Sequence, residues 1–221
     1  MVDEVGMNRG KFITLEGGEG AGKSTQARLL AGWLQTRGLT TLVTREPGGS
    51  ALAESIRGLL LTPANGPADA LTEALLFNAA RRDHLIRVIL PALAVGTYVI
   101  CDRFADSTRA YQGAGGKLDL AVVDTLERLV VGEARPDLTV IIDLPVEVGL
   151  ERAALRHSTN SEPTARDRFE SLDLQFHQRL REAFMVIAAR EPARCAFVDG
   201  RPEAGIVADA IRAVVGERLG L

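Results

Sequence analysis

Cysteine and histidine are scarce in this chain. Its 221 residues include two cysteines, Cys101 and Cys195, far apart and each inside an apolar, strand-like run. That pattern predicts buried reduced thiols rather than a disulfide framework, and so a reducing, cytoplasmic compartment. Three scattered histidines and two cysteines give no spacing that would suggest a zinc site. No apolar run reaches the length of a membrane span, so no membrane partner is expected. Residues 1–11 carry Asp3, Glu4, Arg9 and Lys11 without an apolar stretch, which is not a signal peptide. A flexible leader over 1–10 is expected, with Met7 an alternative start. The formal net charge of −3 lacks the basic excess of a nucleic-acid binder. No nucleic-acid partner is therefore expected, although a local basic pocket remains compatible. There is no internal repeat and no linker, and the length fits one domain over 1–221 with at most a small flap.

What is present centres on residues 12–25, Phe-Ile-Thr-Leu-Glu-Gly-Gly-Glu-Gly-Ala-Gly-Lys-Ser-Thr. A short apolar run breaks at Gly17, glycines follow at 18, 20 and 22, then Lys23-Ser24 opens a helical pattern. This is G-x-x-x-x-G-K-[ST] with a strand before it and a helix after it. Glycines let successive N–H groups turn toward one anion, and the helix adds its positive N-terminal end. Lys23 would reach the outer phosphates and the Ser24 hydroxyl would ligate Mg²⁺. The bland alternative is a flexible glycine turn between a strand and a helix.

Continuous apolar runs over 12–16, 42–46, 98–102, 138–144 and 195–199 read as strands buried on both faces. Helical patterns fill the gaps, over 22–37, 52–60, 68–95, 118–131, 146–156, 167–190 and 202–219. Strand alternating with helix predicts a doubly wound α/β fold, in which ligands gather at the carboxyl ends of the strands. Those ends carry the glycine loop, then Thr44-Arg45-Glu46-Pro47-Gly48-Gly49, then Cys101-Asp102-Arg103, then Asp143. Acids with neighbouring arginines are often solvated ion pairs. Two such pairs on the rim of a phosphate loop point instead to a ligand site. Asp102 or Asp143 would orient Mg²⁺, and Asp102 is preferred because Arg103 gives its strand end a second phosphate ligand.

Along 69–95, Leu71, Leu75, Ala79, Ile86, Ile89 and Leu90 fall on one stripe, expected to be the core face. Phe77 lies opposite, with Arg81 one turn on. A ring and a guanidinium so placed suit a planar base, one stacking and the other donating hydrogen bonds. The alternatives for Phe77 are packing beneath a loop or at a subunit interface. Between 153 and 168 the composition turns polar, with Arg152, Arg156, Arg166 and Arg168 around it. It reads either as a solvated face or as a lid carrying arginines to a transferred group. The stretch after it places Phe169, Leu172, Phe176, Leu180, Phe184 and Ile187 at helical spacing.

ATP needs only the loop, Lys23 and Mg²⁺, so Arg45, Arg57, Arg103 and the lid arginines are surplus. A second phosphate would use them. Two unit charges 4 Å apart repel by about 4 kcal/mol at an effective dielectric near 20. A phosphomonoester, with a second pKa of about 6, is already a nucleophile at neutral pH and needs no general base. No histidine or Ser/His/Asp arrangement offers itself as one. A hydroxyl acceptor, as in a nucleoside or sugar kinase, would instead need a carboxylate such as Glu16, Glu46 or Asp106. A non-catalytic nucleotide switch is the rival from another class.

The ordered stretches Glu16-Gly17-x-Glu19-Gly20-x-Gly22-Lys23-Ser24-Thr25, Thr44-Arg45-Glu46-Pro47-Gly48-Gly49, Leu76-Phe77-x-Ala79-x-Arg81, Asp102-Arg103, Ser107-Thr108, Tyr111-Gln112-Gly113 and Arg135-Pro136-Asp137-Leu138-Thr139 carry a resemblance. Over nearly its whole length the chain resembles the bacterial thymidylate kinases (dTMP kinases). The resemblance implies a P-loop NTPase fold: α/β, a five-stranded parallel sheet with helices on both faces and a short lid over 153–168. It implies transfer of the γ-phosphoryl group of ATP to dTMP, with Mg²⁺, by a homodimer. ATP would lie on Gly17, Gly18, Glu19, Gly20, Ala21, Gly22, Lys23, Ser24 and Thr25. Carried over by residue, Phe77 stacks on thymine, Arg81 donates to its exocyclic oxygen, Thr108 and Gln112 face the base edge, and Ser107 is a further dTMP-binding residue. Tyr111 sits below the deoxyribose. Arg45, Arg57 and Arg103 hold the acceptor phosphate beside Glu46 and Pro47. Glu19 lies near the sugar hydroxyl and the metal. Because the glycine loop has Glu19 and Ala21 but no arginine, catalytic arginines are sought in the lid. Lys23, Arg103 and Glu19 join Arg152, Arg156 and Arg166 as the catalytic candidates, with the acting lid arginine left open.

Overall fold

The computed structural model describes residues 9–62, 66, 68–159 and 168–221, without the side chains of 157–159 and 168. Strand β1 is Phe12–Glu16, β2 Thr41–Arg45, β3 Tyr98–Asp102, β4 Leu138–Asp143 and β5 Cys195–Asp199. They form one five-stranded parallel sheet in the order β2-β3-β1-β4-β5. All five expected strands form, and β2 begins one residue earlier and ends one earlier than expected. Register aligns Leu15 with Asp102 and Asp102 with Arg45, so three strand ends finish at one level around the glycine loop.

Alternate residues of β1 serve opposite faces. Ile13 and Leu15 join Leu30 and Leu34 of α1 (Lys23–Gln35) and Val207, Ile211 and Val215 of α9 (Ala204–Leu219). Phe12 packs on the other face with Leu85, Ile89, Val99 and Phe104. Farther along that face, Ile141 and Cys195 meet Leu180 and Phe184 of α8 (Leu174–Arg190). Capping oxygens start several helices: Ser50 for α2 (Ala51–Leu61), Asp69 for α3 (Ala70–His84) and Asp173 for α8.

The helix expected over 68–95 is in fact α3, a π-helical segment Leu85–Ile89, and α4, Leu90–Ala94. The wider turn falls just before Pro91, which has no N–H for a regular i→i−4 bond. Its expected core stripe is corrected by the structure. Leu71, Leu75, Ala79, Ile86 and Leu90 are exposed, Leu75 by 50%, and of that stripe Ile89 alone is buried. The inward face instead carries Ala74 and Ala80 with Glu73, Asn78, Arg81 and His84, and the polar ones are hydrogen-bonded: Glu73 by Gln112, Asn78 to the Ala74 carbonyl, Arg81 to Glu46 and Thr108, and His84 with Thr44 and Glu46. Apolar periodicity therefore marked the outward side.

A helical segment that the sequence did not predict follows β3. It comprises α5, Ala105–Thr108, and a π-helical stretch, Arg109–Gly115, whose closing glycines disguise it. The chain continues with α6 (Leu120–Val130), α7 (Val146–Thr159) and a 3-10 turn, Arg168–Ser171. The helix expected from 167 begins at Leu174 instead, after its Asp173 cap. Residues 1–8 of the expected leader and 160–167 of the expected lid lie outside the described residues. Gly10, at the end of that leader, is buried and donates its N–H to the Leu93 carbonyl at 2.9 Å. Among the described residues no helix is long and apolar enough to cross a membrane.

Candidate active site

The glycine loop turns directly off β1. Gly17 and Gly20 have φ of 137° and 66°, which favour glycine. A Cβ on Gly20 would also lie 2.0 Å from the Gly149 carbonyl oxygen, so no side chain fits there. α1 opens after Gly22 with no side-chain hydrogen bond on its cap residue, leaving first-turn N–H groups for an anion. Lys23 Nζ donates to the carbonyls of Gly17 and Gly18 at 3.1 and 2.7 Å. Burial, then the charge of Arg103, holds Lys23 down to about 8, against the attraction of Glu19, Asp102 and Glu16. Ser24 Oγ donates a short hydrogen bond to Asp102 Oδ2. The rival strand-end acid, Asp143, is held bidentately by Nε and Nη2 of Arg181 at 2.7 and 2.9 Å. A hydroxyl and a carboxylate oxygen side by side are a hard-oxygen donor set that fits Mg²⁺.

Glu19 leaves the loop toward Arg103 and Tyr111. Its Oε1 accepts from Arg103 at 2.9 Å and from the Tyr111 hydroxyl at 2.5 Å. Burial would raise its pKa, yet Arg103, Lys23 and the tyrosine hydroxyl together hold it down to about 2. Arg103 also donates to the Gly17 carbonyl at 3.1 Å and lies 4.8 Å from the centre of the Tyr111 ring. Its φ is 69°, a left-handed conformation uncommon for a non-glycine residue and found at functional sites. Despite its burial, the charges facing it raise its pKa.

The same cavity, about 390 Å³, continues from the glycine loop past Arg103 to α2, α3 and the segment at 105–115. Arg45, Glu46, Pro47, Arg57, Phe77, Arg81, Ser107, Thr108, Tyr111 and Gln112 all line it, together with residues 19–25 of the loop. Gly17 and Gly18 instead line a smaller cleft behind the loop, with His177 and Arg181. Arg45 pairs at 3.2 Å with Glu54 and is 55% exposed, and Arg57 donates to the Pro47 carbonyl at 2.9 Å. Arg81 is buried and donates to Glu46 at 2.7 Å, Asn78 at 3.3 Å, Thr108 at 3.1 Å and the Phe104 carbonyl at 3.0 Å. Phe77 has two environments at once. It lines the cavity and also packs on Phe169, with ring centres 6.1 Å apart, and on the cluster of Ile56, Leu60 and Ala80.

Of the lid arginines, Arg156 lines the cavity and pairs with Glu170 at 3.2 Å. Arg152 points elsewhere, donating to the carbonyls of Gly200 and Arg201 at 2.8 and 2.9 Å. Arg166 lies outside the described residues, as does the side chain of Arg168.

Three site residues escaped the sequence reading. Phe169 lines the cavity and meets Tyr111 edge-on at 5.5 Å. Glu73, buried in the first turn of α3, accepts from Gln112 at 3.0 Å. In the sequence Glu16 is part of the resemblance motif and the base of a rival mechanism, with no role expected in this site. It accepts from Phe104 N at 2.8 Å, Ser107 N at 3.3 Å and Ser107 Oγ at 2.6 Å. Burial, reinforced by Asp106, pushes it up to about 7. Its position as the last residue of β1 was the available signal. Glu46, His84 and Cys101 also converge, each offering a ligand atom within 4.8 Å of the others. Their atoms already serve hydrogen bonds: His84 with Thr44 at 2.8 Å and Glu46 at 3.1 Å, Cys101 with the Arg103 carbonyl at 3.0 Å.

Comparison with known proteins agrees with this geometry. The thymidylate kinase family model matches residues 15–211. The thymidylate kinase of Rhodopseudomonas palustris (strain TIE-1) is 56% identical over 214 residues, 96% of this chain and 90% of that protein. That of Caulobacter vibrioides is 54% identical over 218 residues, 97% of this chain and all of that protein. The crystal structure of thymidylate kinase from Ehrlichia chaffeensis superposes with a TM-score of 0.76 at 37% identity, covering 94% of this chain and 99% of that one. A phosphate loop, a cationic cavity joined to it and these matches along almost the full length place the chain in the thymidylate kinase family.

Proposed function

We infer that this protein transfers the γ-phosphoryl group of ATP to dTMP, giving ADP and dTDP. The observation that carries this is the single cavity running from the phosphate loop to a compartment lined by Arg45, Arg57, Arg103, Phe77 and Arg81. ATP occupies the loop, held by its N–H groups and Lys23. The acceptor phosphate meets Arg103 and the rim arginines Arg45 and Arg57, while the base lies against Phe77 with Arg81 and Gln112 at its edge. Ser24 and Asp102 would hold Mg²⁺, which when bound neutralises charge on the transferring phosphoryl group. Among the described lid arginines Arg156 lines the cavity and would supply a cation to the transferred group. The acceptor dianion attacks directly, so the protein's task is alignment and charge neutralisation.

The bases a hydroxyl acceptor would need are already committed. Glu16 is taken by Phe104 and Ser107, Glu46 by Arg81 and His84, and Asp106 by Arg194 at 2.7 and 3.0 Å. That supports a phosphate acceptor over a nucleoside. A coupled assay of ADP release with dTMP or thymidine as acceptor tests it. Turnover is expected with dTMP alone, and turnover on thymidine without dTMP activity would overturn the reading.

The working unit in this proposal is a homodimer. The outward apolar stripe of Leu71, Leu75, Ala79, Ile86 and Leu90 supports an interface there, and Leu52 and Leu59 of α2 are exposed as well. The two free, buried cysteines fit a cytoplasmic setting.

A further inference from the structure

Two carboxylates sit behind the base end of the cavity, one under each residue that faces the base edge. Glu46 accepts from Arg81 Nε, and Glu73, 8% exposed, accepts from Gln112 Nε2 at 3.0 Å. A carboxylate has no proton to donate, so the amide nitrogen of Gln112 must face Glu73. The amide carbonyl is thereby turned away from Glu73, on a residue that is 2% exposed and lines the cavity. Arg81 has acceptors in the protein for four of its five N–H groups, leaving one for a ligand. The base edge therefore meets an acceptor from Gln112 beside a donor from Arg81. A 4-oxo pyrimidine offers N3–H and O4, the complementary pair. A 4-amino pyrimidine offers an N3 acceptor and an amino donor, which is the reverse.

We propose that Glu73 is a positioning residue that fixes the polarity of the Gln112 amide, and so makes the enzyme select 4-oxo over 4-amino pyrimidine monophosphates. This rests on the proposed placement of the dTMP base against Phe77, Arg81 and Gln112. A purely structural role, tying α3 to the segment at 109–115, would leave that selection untouched. Glu73→Gln separates the two. It keeps the size and a hydrogen bond to Gln112, but its amide can donate or accept, so both amides are free to flip together.

The ratio of kcat/KM for dTMP to that for dCMP is measured, with competitive inhibition replacing turnover for a nucleotide that is not phosphorylated. E73Q should lower the ratio at least tenfold, mainly through KM for dTMP, with an unchanged melting temperature. An unchanged ratio overturns the proposal. An arm that needs no variant uses N3-methyl-dTMP against the wild-type protein. It should compete at least tenfold more weakly than dTMP binds, and equal potency also overturns the proposal. Gln112→Leu distinguishes the two levels of inference. If Q112L leaves both KM for dTMP and the ratio unchanged, the placement of the base is wrong. If Q112L acts and E73Q leaves the ratio unchanged, only the role of Glu73 falls.

Discussion

Replacing Glu16 with glutamine should change how stability depends on pH. The buried carboxyl titrates at about 7 in the folded chain, against 4.5 for the ordinary group, because burial and Asp106 disfavour its anion. The folded state therefore binds the proton more tightly than the unfolded state. Stability from this source is complete below pH 4.5 and is lost as pH rises through 7. At about 1.4 kcal/mol per pH unit, the wild type should lose about 2–3 kcal/mol more than E16Q between pH 5 and pH 8. Glutamine suits the site. Its carbonyl can take the N–H groups of Phe104 and Ser107, and its amide nitrogen can donate to Ser107 Oγ. Lys23, held down to about 8, acts in the opposite sense, since its folded form loses stability as pH falls through that value. It is present in both proteins and cancels to first order in their difference. Urea unfolding followed by circular dichroism at pH 5, 6, 7 and 8 provides the measurement. Parallel curves for wild type and E16Q would show that Glu16 is ionised in the fold like an ordinary carboxylate, and would refute the reasoning.

Two further outcomes are expected. Arg103→Ala should abolish most turnover on dTMP while ATP still binds by calorimetry, because Arg103 bridges Glu19 and Gly17 on the acceptor side of the loop; unchanged turnover would remove its role. Leu75→Glu, on the exposed stripe of α3, should convert a dimer seen by light scattering into a monomer, and a wild-type monomer at working concentration would refute the interface.

The parts most legible in the sequence were those where chemistry and secondary structure coincide locally. The glycine loop, its Lys23-Ser24 pair and the strand ends at Arg45 and Asp102 needed only short-range patterns. Their meeting point follows from parallel strands finishing at one level. The α3 stripe failed because burial there is polar: Arg81 and His84 face inward on Glu46, Thr108 and Thr44, far away in sequence, while Asn78 bonds to Ala74 and Arg81 of its own helix. Hydrophobic periodicity cannot register such partners, and it read an outward stripe as the core. The segment at 105–115 was hidden by its glycines and its π geometry, though four residues singled out within it, Ser107, Thr108, Tyr111 and Gln112, do line the cavity. Arg152 and Arg156 are one helical turn apart and indistinguishable by composition. Only the position of the Gly200 and Arg201 carbonyls turns one of them away. Glu73 was invisible because its importance comes from a contact 39 residues along the chain, with Gln112.

One modest contact at the cavity mouth has a wider consequence. Glu54 Oε1 accepts from both Arg45 and the backbone N–H of Gly49, the latter at 2.9 Å. The arginine bond is exposed and worth no more than about 1 kcal/mol, so an arriving dianion can take Arg45 over. The glycine bond need not break when that happens. Glu54 would act as a tether during the exchange, releasing its cation to the ligand while still holding the turn that aims it. If Arg45 takes the acceptor phosphate as proposed, the mouth would change partners without changing shape, and capture would require no rebuilding of the loop.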